Sequence, residues 1–475
     1  MPDSTAIVWF RQDLRLHDNP ALAAATEFDR VIPIYILDDD TAGSAAMGAA
    51  SRAWLHHSLD ALDQSLDGAL QYFDGPAERI LPDLIASLGV DAIFWNRCYE
   101  PWRIQRDQRI KTSLLEAGKT VQSFNASLLW EPWTVHKADG TPYRVFTPYF
   151  QKGCLRAPAP RSPMPAPQHL ETRLHKTNRD LSLEALDLLP RDLDWHESMM
   201  AHWSVGEAAA SQQLEHFCDN GLSQYREGRD FPGIEATSRL SPHLHFGEIS
   251  PHQVWSRIEQ ETLHQTSANA SHYLRELGWR EFSYYLLYHF PTLAEVNFNP
   301  RFNGFKWAED DKDKVRWQRG LTGFPIVDAG MRELWQTGYM HNRVRMIVAS
   351  FLIKNMLIHW REGAGWFWDC LVDADLASNS ASWQWCAGSG ADAAPYFRIF
   401  NPVLQSQKFD AAGDYIATYC PELAALPSKY RHEPWLADDA VLNDADIQLG
   451  IDYPKPILDL KVTRERALAA YKALA

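Results

Sequence analysis

Two domains of different class are predicted from this sequence: an α/β domain with a doubly wound, five-stranded parallel sheet, followed by an all-α domain. Short apolar runs alternate with helical patterns over about the first 130 residues. Five prolines then fall within residues 158–167, and beyond about His202 helix-length amphipathic segments dominate. The chain has 475 residues, more than one hydrophobic core usually serves, so at least two domains are expected.

The five strands are short runs rich in β-branched and aromatic residues. They are predicted at 6–10, 30–37, 70–73, 91–95 and 121–124, with a helix at 50–66 between the second and the third. The first strand, AIVWF, runs directly into RQDLRLHD without a G-x-G-x-x-G fingerprint. A dinucleotide bound in the Rossmann manner is therefore not predicted for this domain.

The domain boundaries follow from these patterns. We expect the α/β domain at 1–130, an interdomain linker at 131–201 and the helical domain at 202–475. The proline-rich part of the linker lacks the capacity for helix or ladder hydrogen bonds and is expected to run extended over the surface. Helices of the second domain are predicted at 205–220, 271–288 and 329–336, among others.

Composition and charge restrict the class of protein. The net charge of −15 disfavours a protein that coats nucleic acid indiscriminately. Residues 339–361 nevertheless carry Arg343, Arg345, Lys354 and Arg361 without any Asp or Glu, which is a local basic excess. A helix with solvated arginines would show the same excess, so charge alone does not separate the two interpretations.

The expected location is the cytoplasm. No run reaches the roughly 18 apolar residues that a membrane span needs, and the N-terminus shows no basic stretch followed by a long apolar one. Six cysteines are scattered without any C-x-x-C, so we expect reduced thiols, no disulfide framework and no metal site. We expect a monomer without a membrane partner.

Residues 237–251, TSRLSPHLHFGEISP, contain two helix-start patterns, because Ser241 and Ser250 each precede a proline. A helix N-terminus presents free N–H groups and the positive end of a dipole, and Thr237, Ser238 and Arg239 add further donors. The segment is thus suited to hold a pyrophosphate without glycine-rich turns. Ordinary helix capping would give the same pattern.

A second candidate motif is RELGWREF, in which Glu276, Trp279 and Arg280 fall at i, i+3 and i+4. This spacing predicts one helical face that carries a carboxylate, a large aromatic surface and a cation. Such a face can meet both the edge and the plane of a nucleobase. A buried tryptophan covered by an ion pair has the same periodicity.

The motif MHNRVRM has the same spacing. Asn342, Arg345 and Met346 share one predicted helical face, while Arg343 points toward another. Methionine is more often a filler of hydrophobic cores than a ligand contact, so the pattern does not by itself define a site.

The stretch at 373–402 is the most informative, because it sets Asp373, Asp375, Asn379, Trp383 and Trp385 among small residues. A flat and electronically active molecule has room to lie there. The two aspartates also suit an acid–base pair, but no nucleophile or metal-ligating histidine is close in sequence. We therefore interpret them as hydrogen-bond acceptors.

Taken together, from AIVWFRQDLRLHDNPAL to about Pro456, these motifs resemble the photolyase/cryptochrome family of blue-light flavoproteins. Within that family the resemblance is to the class I cyclobutane pyrimidine dimer photolyases. It implies FAD bound in the all-α domain, DNA containing pyrimidine dimers as the partner, and light-driven electron transfer from reduced FAD to the dimer. The implied enzyme is a deoxyribodipyrimidine photo-lyase, which would extrude the damaged bases from the duplex before acting on them.

Three alternatives remain. Photolyases that act on (6-4) lesions carry a histidine at the position of Asn342, which disfavours that substrate. A cryptochrome-like photoreceptor would use the same cofactor and commonly has a long polar tail, whereas this chain ends shortly after Pro456 as an ordinary helical pattern. A light-independent flavin electron carrier has only the FAD site in its favour.

The resemblance also implies roles for individual residues. Arg345 would pair with Asp373, and Asn379 would face the flavin N5. FAD would contact Tyr225, Thr237, Ser238, Arg239, Leu240, Ser241, Arg280, Arg345, Asp373, Asp375 and Asn379. The lesion would contact Glu276, Trp279, Asn342 and Met346, DNA would contact Arg343, Trp279 and Trp385, and electrons would pass through Trp383, Trp360 and Trp307.

The resemblance also implies a second chromophore that serves as a light-harvesting antenna, although fewer residues indicate which one it is. NRCYEPWRIQRD at 96–107 lacks the Asn-Glu pair that folate-binding photolyases show at this place. Arg52 and the E-P-W-x-x-Q-R-D pattern are more similar to the deazaflavin binders. We therefore expect 8-hydroxy-5-deazaflavin rather than methenyltetrahydrofolate, with an empty or different site as the alternative.

Overall fold

The computed structural model describes residues 4–172, 181–191, 193–262, 267–308, 311–393 and 397–474. These residues form two compact units, each built from several stretches of the chain. The first unit comprises Met1–Ser223, Ser238–Pro291 and Val372–Ala377. The second unit comprises Gln224–Thr237, Thr292–Leu371 and Ser378–Ala475.

A five-stranded sheet is the centre of the first unit. Its strands are β1 (Thr5–Phe10), β2 (Arg30–Leu37), β3 (Gln71–Asp74), β4 (Ala92–Asn96) and β5 (Thr120–Phe124). All pairings are parallel, and the order is β3-β2-β1-β4-β5. The predicted doubly wound parallel sheet is confirmed, with each strand within a residue or two of its expected position. The strand order reverses next to β1, where such sheets open a crevice at their carboxyl ends.

Helices cover both faces of this sheet, and further helices follow it in the first unit. In chain order they are α1 (Pro20–Ala25), α2 (Asp39–Ala42), α3 (Ala49–Ser65), α4 (Ala77–Leu88), α5 (Pro101–Glu116), α6 (Phe146–Pro148), α7 (Trp195–Met200) and α8 (Glu207–His216). After α9, which belongs to the second unit, the first unit adds α10 (Ser241–Phe246), α11 (Pro251–Glu261) and α12 (Ser267–His289).

The second unit is helical, as predicted. Its helices are α9 (Tyr225–Gly228), α13 (Asp311–Gln318), α14 (Pro325–Thr337), α15 (Asn342–Ser350), α16 (Trp360–Cys370), α17 (Leu376–Ala387), α18 (Pro402–Phe409), α19 (Asp414–Tyr419), α20 (Ser428–Arg431), α21 (Asp439–Asp444) and α22 (Leu460–Lys472). Helix α17 begins in the last segment of the first unit. A π-helical turn, Phe351–Asn355, directly follows α15.

Alternating side chains of β1 enter two separate hydrophobic cores. Val8 and Phe10 pack into one core, with Trp54 of α3, while Ile7 and Trp9 pack into the other. All six residues of β1 are buried, which is expected for the central strand of a parallel sheet covered on both faces. Because neither face is left to solvent, the strand reads as an unbroken apolar run.

The proline-rich stretch forms neither helix nor strand from residue 157 to residue 170, and none of these residues is buried. The predicted extended surface segment is therefore confirmed. No helix within the described ranges is long and apolar enough to span a bilayer. The six cysteines are free thiols.

The two predicted helix starts at 237–251 differ in outcome. Ser250 caps α11 with a complete capping box, since its side chain accepts from the backbone N–H of Gln253 and the Gln253 side chain accepts from the Ser250 N–H. The prediction of Ser241 as an N-cap is wrong, because α10 begins at Ser241 and Leu240 takes the cap position. Proline fits the first helical positions in both cases, so the Ser-Pro pattern does not fix the exact start.

Glu281 is a buried carboxyl that joins α12 to the loop after β5. Its Oε2 accepts hydrogen bonds from the backbone N–H groups of Leu129 and Trp130, at 2.8 and 3.2 Å. Its Oε1 accepts from Arg280 Nη1 at 3.1 Å. Burial nonetheless dominates and raises the pKa of Glu281 to about 7, from an ordinary value of 4.5.

Glu281→Gln should flatten the pH dependence of stability between about pH 4.5 and 7. The pKa of Glu281 is higher in the folded protein than in the unfolded chain. Its contribution to the stability of the wild type is therefore fully present below the unfolded pKa and is lost as the pH rises toward 7. The loss reaches roughly 3 kcal/mol at most. Urea unfolding of both proteins at pH 5 and pH 8 measures it. The control is Glu259→Gln at an exposed position on α11, which shows the effect of removing a surface carboxylate. An equal pH dependence in wild type and Glu281→Gln would contradict the expectation.

Candidate functional site

In the first unit, the segment at 238–241, helix α12 and the segment at 373–375 are joined by hydrogen bonds of the predicted site residues. Ser241 Oγ donates to Asp373 Oδ2 at 2.6 Å, and Tyr273 of α12 donates to Ser238 Oγ at 2.9 Å. The Tyr284 hydroxyl, also on α12, donates to Asp375. Both aspartates thus act as acceptors, as the sequence predicted.

Arg239 stands in a left-handed backbone conformation, with φ of +51°. A non-glycine residue adopts this conformation at a cost, and such strain collects at ligand-binding segments. The guanidinium lies 4.2 Å from the ring centre of Trp203, and the preceding Ser238 carbonyl accepts from Gln213 at 2.9 Å. The hydroxyls and this cation are therefore held in place by residues outside the motif.

Helix α12 holds the predicted trio of Glu276, Trp279 and Arg280. The Trp279 ring stacks on Phe146, with centroids 3.8 Å apart and planes within 12°. The Glu276 side chain is 28% exposed, with His272 Nε2 3.9 Å from its Oε1. The trio thus offers an accessible carboxylate and an aromatic plane whose orientation is fixed by a second ring.

Arg280 faces the interior of the first unit. Its Nη1 donates to the Ser127 carbonyl at 2.8 Å and to Glu281, and the guanidinium lies 4.9 Å from the Tyr284 ring centre. Tyr284 is the residue that donates to Asp375. Arg280 is therefore linked through one aromatic ring to a predicted flavin contact.

In the second unit, α15 carries the MHNRVRM motif and is capped by His341, whose Nδ1 accepts from the Arg343 backbone N–H at 3.2 Å. Arg343 pairs with Asp230 at 2.7 Å, and its guanidinium lies 4.3 Å from the Phe409 ring centre. Arg345 instead donates from Nε to the Met340 carbonyl at 2.7 Å. The two arginines therefore point in different directions, as predicted.

Met346 and Trp385 line the same cavity, although 39 positions separate them in sequence. Asn342 on the same helix is exposed, while Met346 is half-buried. Trp385 is oriented by a hydrogen bond from its Nε1 to the Asp392 carbonyl at 3.2 Å. Met346 is thus not a filler of the hydrophobic core. The remaining residues that line this cavity are Ser350, Lys354, Cys386, Gly388, Arg398 and Phe400.

The three predicted relay tryptophans differ in their surroundings. Trp307 and Trp360 both lie beside His359, with ring centroids 4.9 and 5.6 Å from the imidazole. Trp360 is almost completely buried and donates to Asn297 at 2.9 Å, whereas Trp307 is half-buried. His359 was not among the predicted site residues, and only its position next to Trp360 in the sequence could have indicated it.

Trp383 packs in a separate aromatic group. Its ring meets Phe367 edge-on at 4.9 Å and Trp317 at 6.4 Å. Asn379, one turn earlier on α17, donates its amide to the Ala364 carbonyl at 3.0 Å. Trp317 and Phe367 were also missed, since nothing in their local sequence distinguishes them from ordinary core aromatics.

Tyr225 and Thr237 lie at the two ends of one segment of the second unit. Tyr225 is buried, and the Arg229 guanidinium lies 5.4 Å from its ring centre. Thr237 is half-buried. A Cβ at Gly228 would lie 2.5 Å from Ala236 Cβ, so the segment folds back tightly at a position that only glycine allows.

A further cavity lies at the carboxyl ends of β1 and β2, where ligands bind in doubly wound sheets. Arg11 and Arg106 both lie over the Trp9 ring, 4.6 and 4.7 Å from its centre. The predicted antenna residue Arg52 pairs with Asp39 and donates to the Met47 carbonyl, and both of these partners line the cavity. The position of Trp9 and Arg11 at the end of a strand is the signal that could have identified them.

Comparison with known proteins places these features in a family. A family model described as "DNA photolyase" matches residues 6–168, and one described as "FAD binding domain of DNA photolyase" matches residues 273–473. The chain is 50% identical over 472 residues to a deoxyribodipyrimidine photo-lyase of Agrobacterium fabrum, covering 98% of both chains.

The chain belongs to the photolyase/cryptochrome family. It is also 39% identical to cryptochrome-2 of Arabidopsis thaliana, over 98% of this chain and 78% of that protein. The crystal structure of a bacterial class III photolyase from Agrobacterium tumefaciens matches with a TM-score of 0.95 and 49% identity, over 100% of this chain and 98% of that one.

These matches confirm the predicted family, the predicted fold class and the prediction of a photo-lyase enzyme. They do not confirm class I, since the matching bacterial structure is a class III photolyase. The predicted roles of the individual site residues stay predictions at this point.

Gly363 of α16 lies against the Trp383 ring, and its missing side chain leaves room for that ring. A Cβ there would overlap the ring and lie 2.7 Å from Leu352 Cδ2. Gly363→Ala should therefore destabilise the protein by about 1–3 kcal/mol and displace Trp383. Thermal unfolding and tryptophan fluorescence check this.

Gly365→Ala is the matched control, because a Cβ at Gly365 meets no atom within 4 Å on the same helix. That variant should gain about 0.5–1 kcal/mol. Equal stability of the two alanine variants would show that Trp383 yields to the methyl group without cost.

Proposed function

We propose that this chain repairs cyclobutane pyrimidine dimers in DNA by light-driven electron transfer from reduced FAD. The observation that carries the proposal is the 50% identity to a deoxyribodipyrimidine photo-lyase over 98% of both chains. The cavity lined by both Met346 and Trp385 supports the proposal, because an aromatic ring and a polarizable thioether suit the apolar cyclobutane and methyl groups of the lesion.

FAD is the proposed resident cofactor, and the chain carries suitable donors and acceptors for it. Thr237, Ser238 and Ser241 supply hydroxyls, and Arg239 supplies the cation that a pyrophosphate requires. When bound and reduced, FAD supplies the electron that light transfers to the dimer. We assign Tyr225, Leu240, Arg280, Arg345, Asp373, Asp375 and Asn379 to the same cofactor on the basis of the family resemblance.

The proposed lesion contacts combine exposure with fixed orientation. On α12, Glu276 offers an accessible carboxylate, which can accept a hydrogen bond from a pyrimidine N–H. Trp279, held by its stacking on Phe146, can cover the apolar face of the dimer. On α15, Asn342 and Met346 are the corresponding contacts. Flipping a damaged base pair costs a few kcal/mol, less than flipping an intact pair, which favours the lesion over normal DNA.

Arg343 is the proposed phosphate contact. In the structure it is paired with Asp230 at 2.7 Å, so a DNA phosphate must replace that carboxylate or share the guanidinium with it. A guanidinium has five N–H donors, which permits sharing. Trp279 and Trp385 are the proposed aromatic contacts to DNA.

Within the family we infer class III rather than class I. The class III structure from Agrobacterium tumefaciens covers the whole of this chain at 49% identity.

The antenna chromophore is a separate proposal, in which 8-hydroxy-5-deazaflavin binds the cavity beside Trp9 and Arg106. The lining combines aromatic rings with three arginines and two aspartates, and this excess of arginine suits a flat chromophore that carries negative charge.

The blue-light assay decides between enzyme and photoreceptor. Reduced, FAD-loaded protein should convert a cyclobutane thymine dimer in an oligonucleotide to intact thymines under blue light, and not in the dark. A (6-4) lesion in the same sequence should remain, because Asn342 cannot act as the histidine acid. An unchanged dimer would favour the cryptochrome-like function, while repair of the (6-4) lesion alone would overturn the proposed substrate.

Trp383→Phe should abolish photoreduction of oxidised FAD, because the proposed relay tryptophans pass electrons to the flavin. It should not affect dimer cleavage by chemically reduced enzyme, because these tryptophans take no part in repair. Flavin absorbance under light and product yield measure the two properties. Trp335→Phe, at a 53% exposed position on α14, should leave both unchanged. Loss of repair in the reduced Trp383→Phe protein would overturn the relay assignment.

A further inference from the structure

His359 is a half-buried histidine that contacts two of the proposed relay tryptophans. The centre of its imidazole lies 4.9 Å from the Trp307 ring centre and 5.6 Å from that of Trp360. In the described part of the chain, the only other ring in contact with Trp307 is Phe305. His359 is therefore the only described aromatic side chain that contacts both tryptophans.

The same imidazole also caps the N-terminus of α16. His359 occupies the N-cap position, and its Nδ1 accepts a hydrogen bond from the Arg361 backbone N–H at 3.1 Å. A ring nitrogen that accepts carries no proton, so in the neutral ring the proton is on Nε2. The cap requires this neutral form, because an imidazolium has two N–H donors and no acceptor.

Trp360 is the first residue of α16, so its orientation depends on how the helix begins. The residue is 1% exposed, and its Nε1 donates to Asn297 at 2.9 Å. Serine, threonine, asparagine and aspartate are the preferred N-cap residues, and none of these can acquire a positive charge. A histidine at the cap instead places a titratable ring against both tryptophans.

Few charged groups act on His359. Burial lowers the pKa of His359 below its ordinary value of 6.5, the Arg361 guanidinium lowers this pKa further, and Glu362 opposes both. The surrounding elements carry Glu295 and Lys306 in loops, Lys314 on α13 and Lys354 in the π-helical turn. None of these four groups acts on His359, and α17, which packs against α16, has no charged residue. His359 is therefore neutral at pH 7 and becomes charged only as the pH falls below 6.5.

A tryptophan that has lost an electron carries a positive charge, which a neighbouring cation disfavours. In the proposed relay, one electron leaves Trp307 and restores oxidised Trp360, so the positive charge moves from Trp360 to Trp307. No bond breaks and no proton moves in this step, and a thiol in solution then returns an electron to Trp307. An imidazolium beside both rings repels the charge at either position.

We propose that His359 is a positioning residue of the tryptophan relay. Its neutral imidazole fixes the start of α16 at Trp360 and keeps a further positive charge away from both tryptophans during electron transfer. This role rests on the proposed function, because the relay itself is part of that function.

The first experiment measures the rate of FAD photoreduction from pH 8 to pH 5, with a thiol in excess. The wild-type rate divided by the His359→Asn rate should fall about tenfold, because only the wild type gains a charge beside the tryptophans. Asparagine keeps a capping oxygen, and the ratio removes the pH dependence of the thiol and the flavin. His359→Asp, which also caps the helix, serves as a second reference. His136→Asn changes an exposed histidine of the first unit and should show the same fall as the wild type.

A second experiment observes the imidazole directly and requires no electron transfer. The NMR signals of the His359 ring nitrogens can be assigned by their absence in His359→Asn. They should show the proton on Nε2 at pH 8 and a pKa below 6.5. A proton on Nδ1 at pH 8 overturns the proposal, because that nitrogen could not then cap α16.

The photoreduction results separate this role from the relay itself. A rate ratio that stays constant from pH 8 to pH 5 overturns the role of His359 alone, and either reference variant suffices if the other fails to fold. A wild type without photoreduction at any pH overturns the proposed relay and the role of His359 together.

Discussion

A charged side chain that is buried away from water needs a partner of opposite charge. This requirement determines how charged residues are arranged both around the sheet and in the proposed site. In the first unit the constraint is met at the ends of the strands. Arg106 pairs with Asp38 and Asp107 at 3.0 and 2.8 Å, and all three residues are buried. The same aspartate, Asp107, accepts from Arg11. Because each cation meets a carboxylate, the cost of burying these charges is offset within the protein itself.

The cavity of the second unit meets the constraint only in part. Lys354 is buried as deeply as Arg106, yet Phe397 and a neutral thiol are its neighbours. The first network is satisfied by the protein itself, whereas no carboxylate among the described residues acts on Lys354. Glu281 is an intermediate case, since three hydrogen bonds do not fully offset its burial. Such deficits show where a protein gives up stability for function.

The fold was predictable because its signals are local. A parallel strand covered on both faces must be apolar throughout, so AIVWF and DAIFW are recognisable as strands, and the prolines between 158 and 167 exclude regular structure. The start of α10 was not predictable to the residue. Ser241 is drawn away from capping by Asp373, which lies 132 positions later in the sequence. The π-helical turn after α15 could not be predicted either, because it contains no proline or glycine that would mark a break in the helix.

The site was predictable as far as helical spacing reaches. Glu276, Trp279 and Arg280 share a helix as expected, but the spacing did not show that Arg280 turns inward to Ser127. Met346 and Trp385 come together only through tertiary packing, so no pattern in the sequence indicated that they line one cavity. Lys354 was visible in the sequence only as one member of a basic excess, since burial cannot be read from residue type. In that excess Arg361 is exposed, Arg343 is paired with Asp230, and Lys354 is buried with no carboxylate acting on it among the described residues.

The proposed flavin contacts and the proposed relay tryptophans do not discriminate a photolyase from a cryptochrome, because either function would use the same flavin and the same tryptophans. The discriminating chemistry lies where a substrate would bind. Met346 and Trp385 share one cavity and are proposed substrate contacts, whereas the 39% identity to a plant cryptochrome extends over 98% of this chain, so the substrate contacts and not the overall likeness separate the two classes.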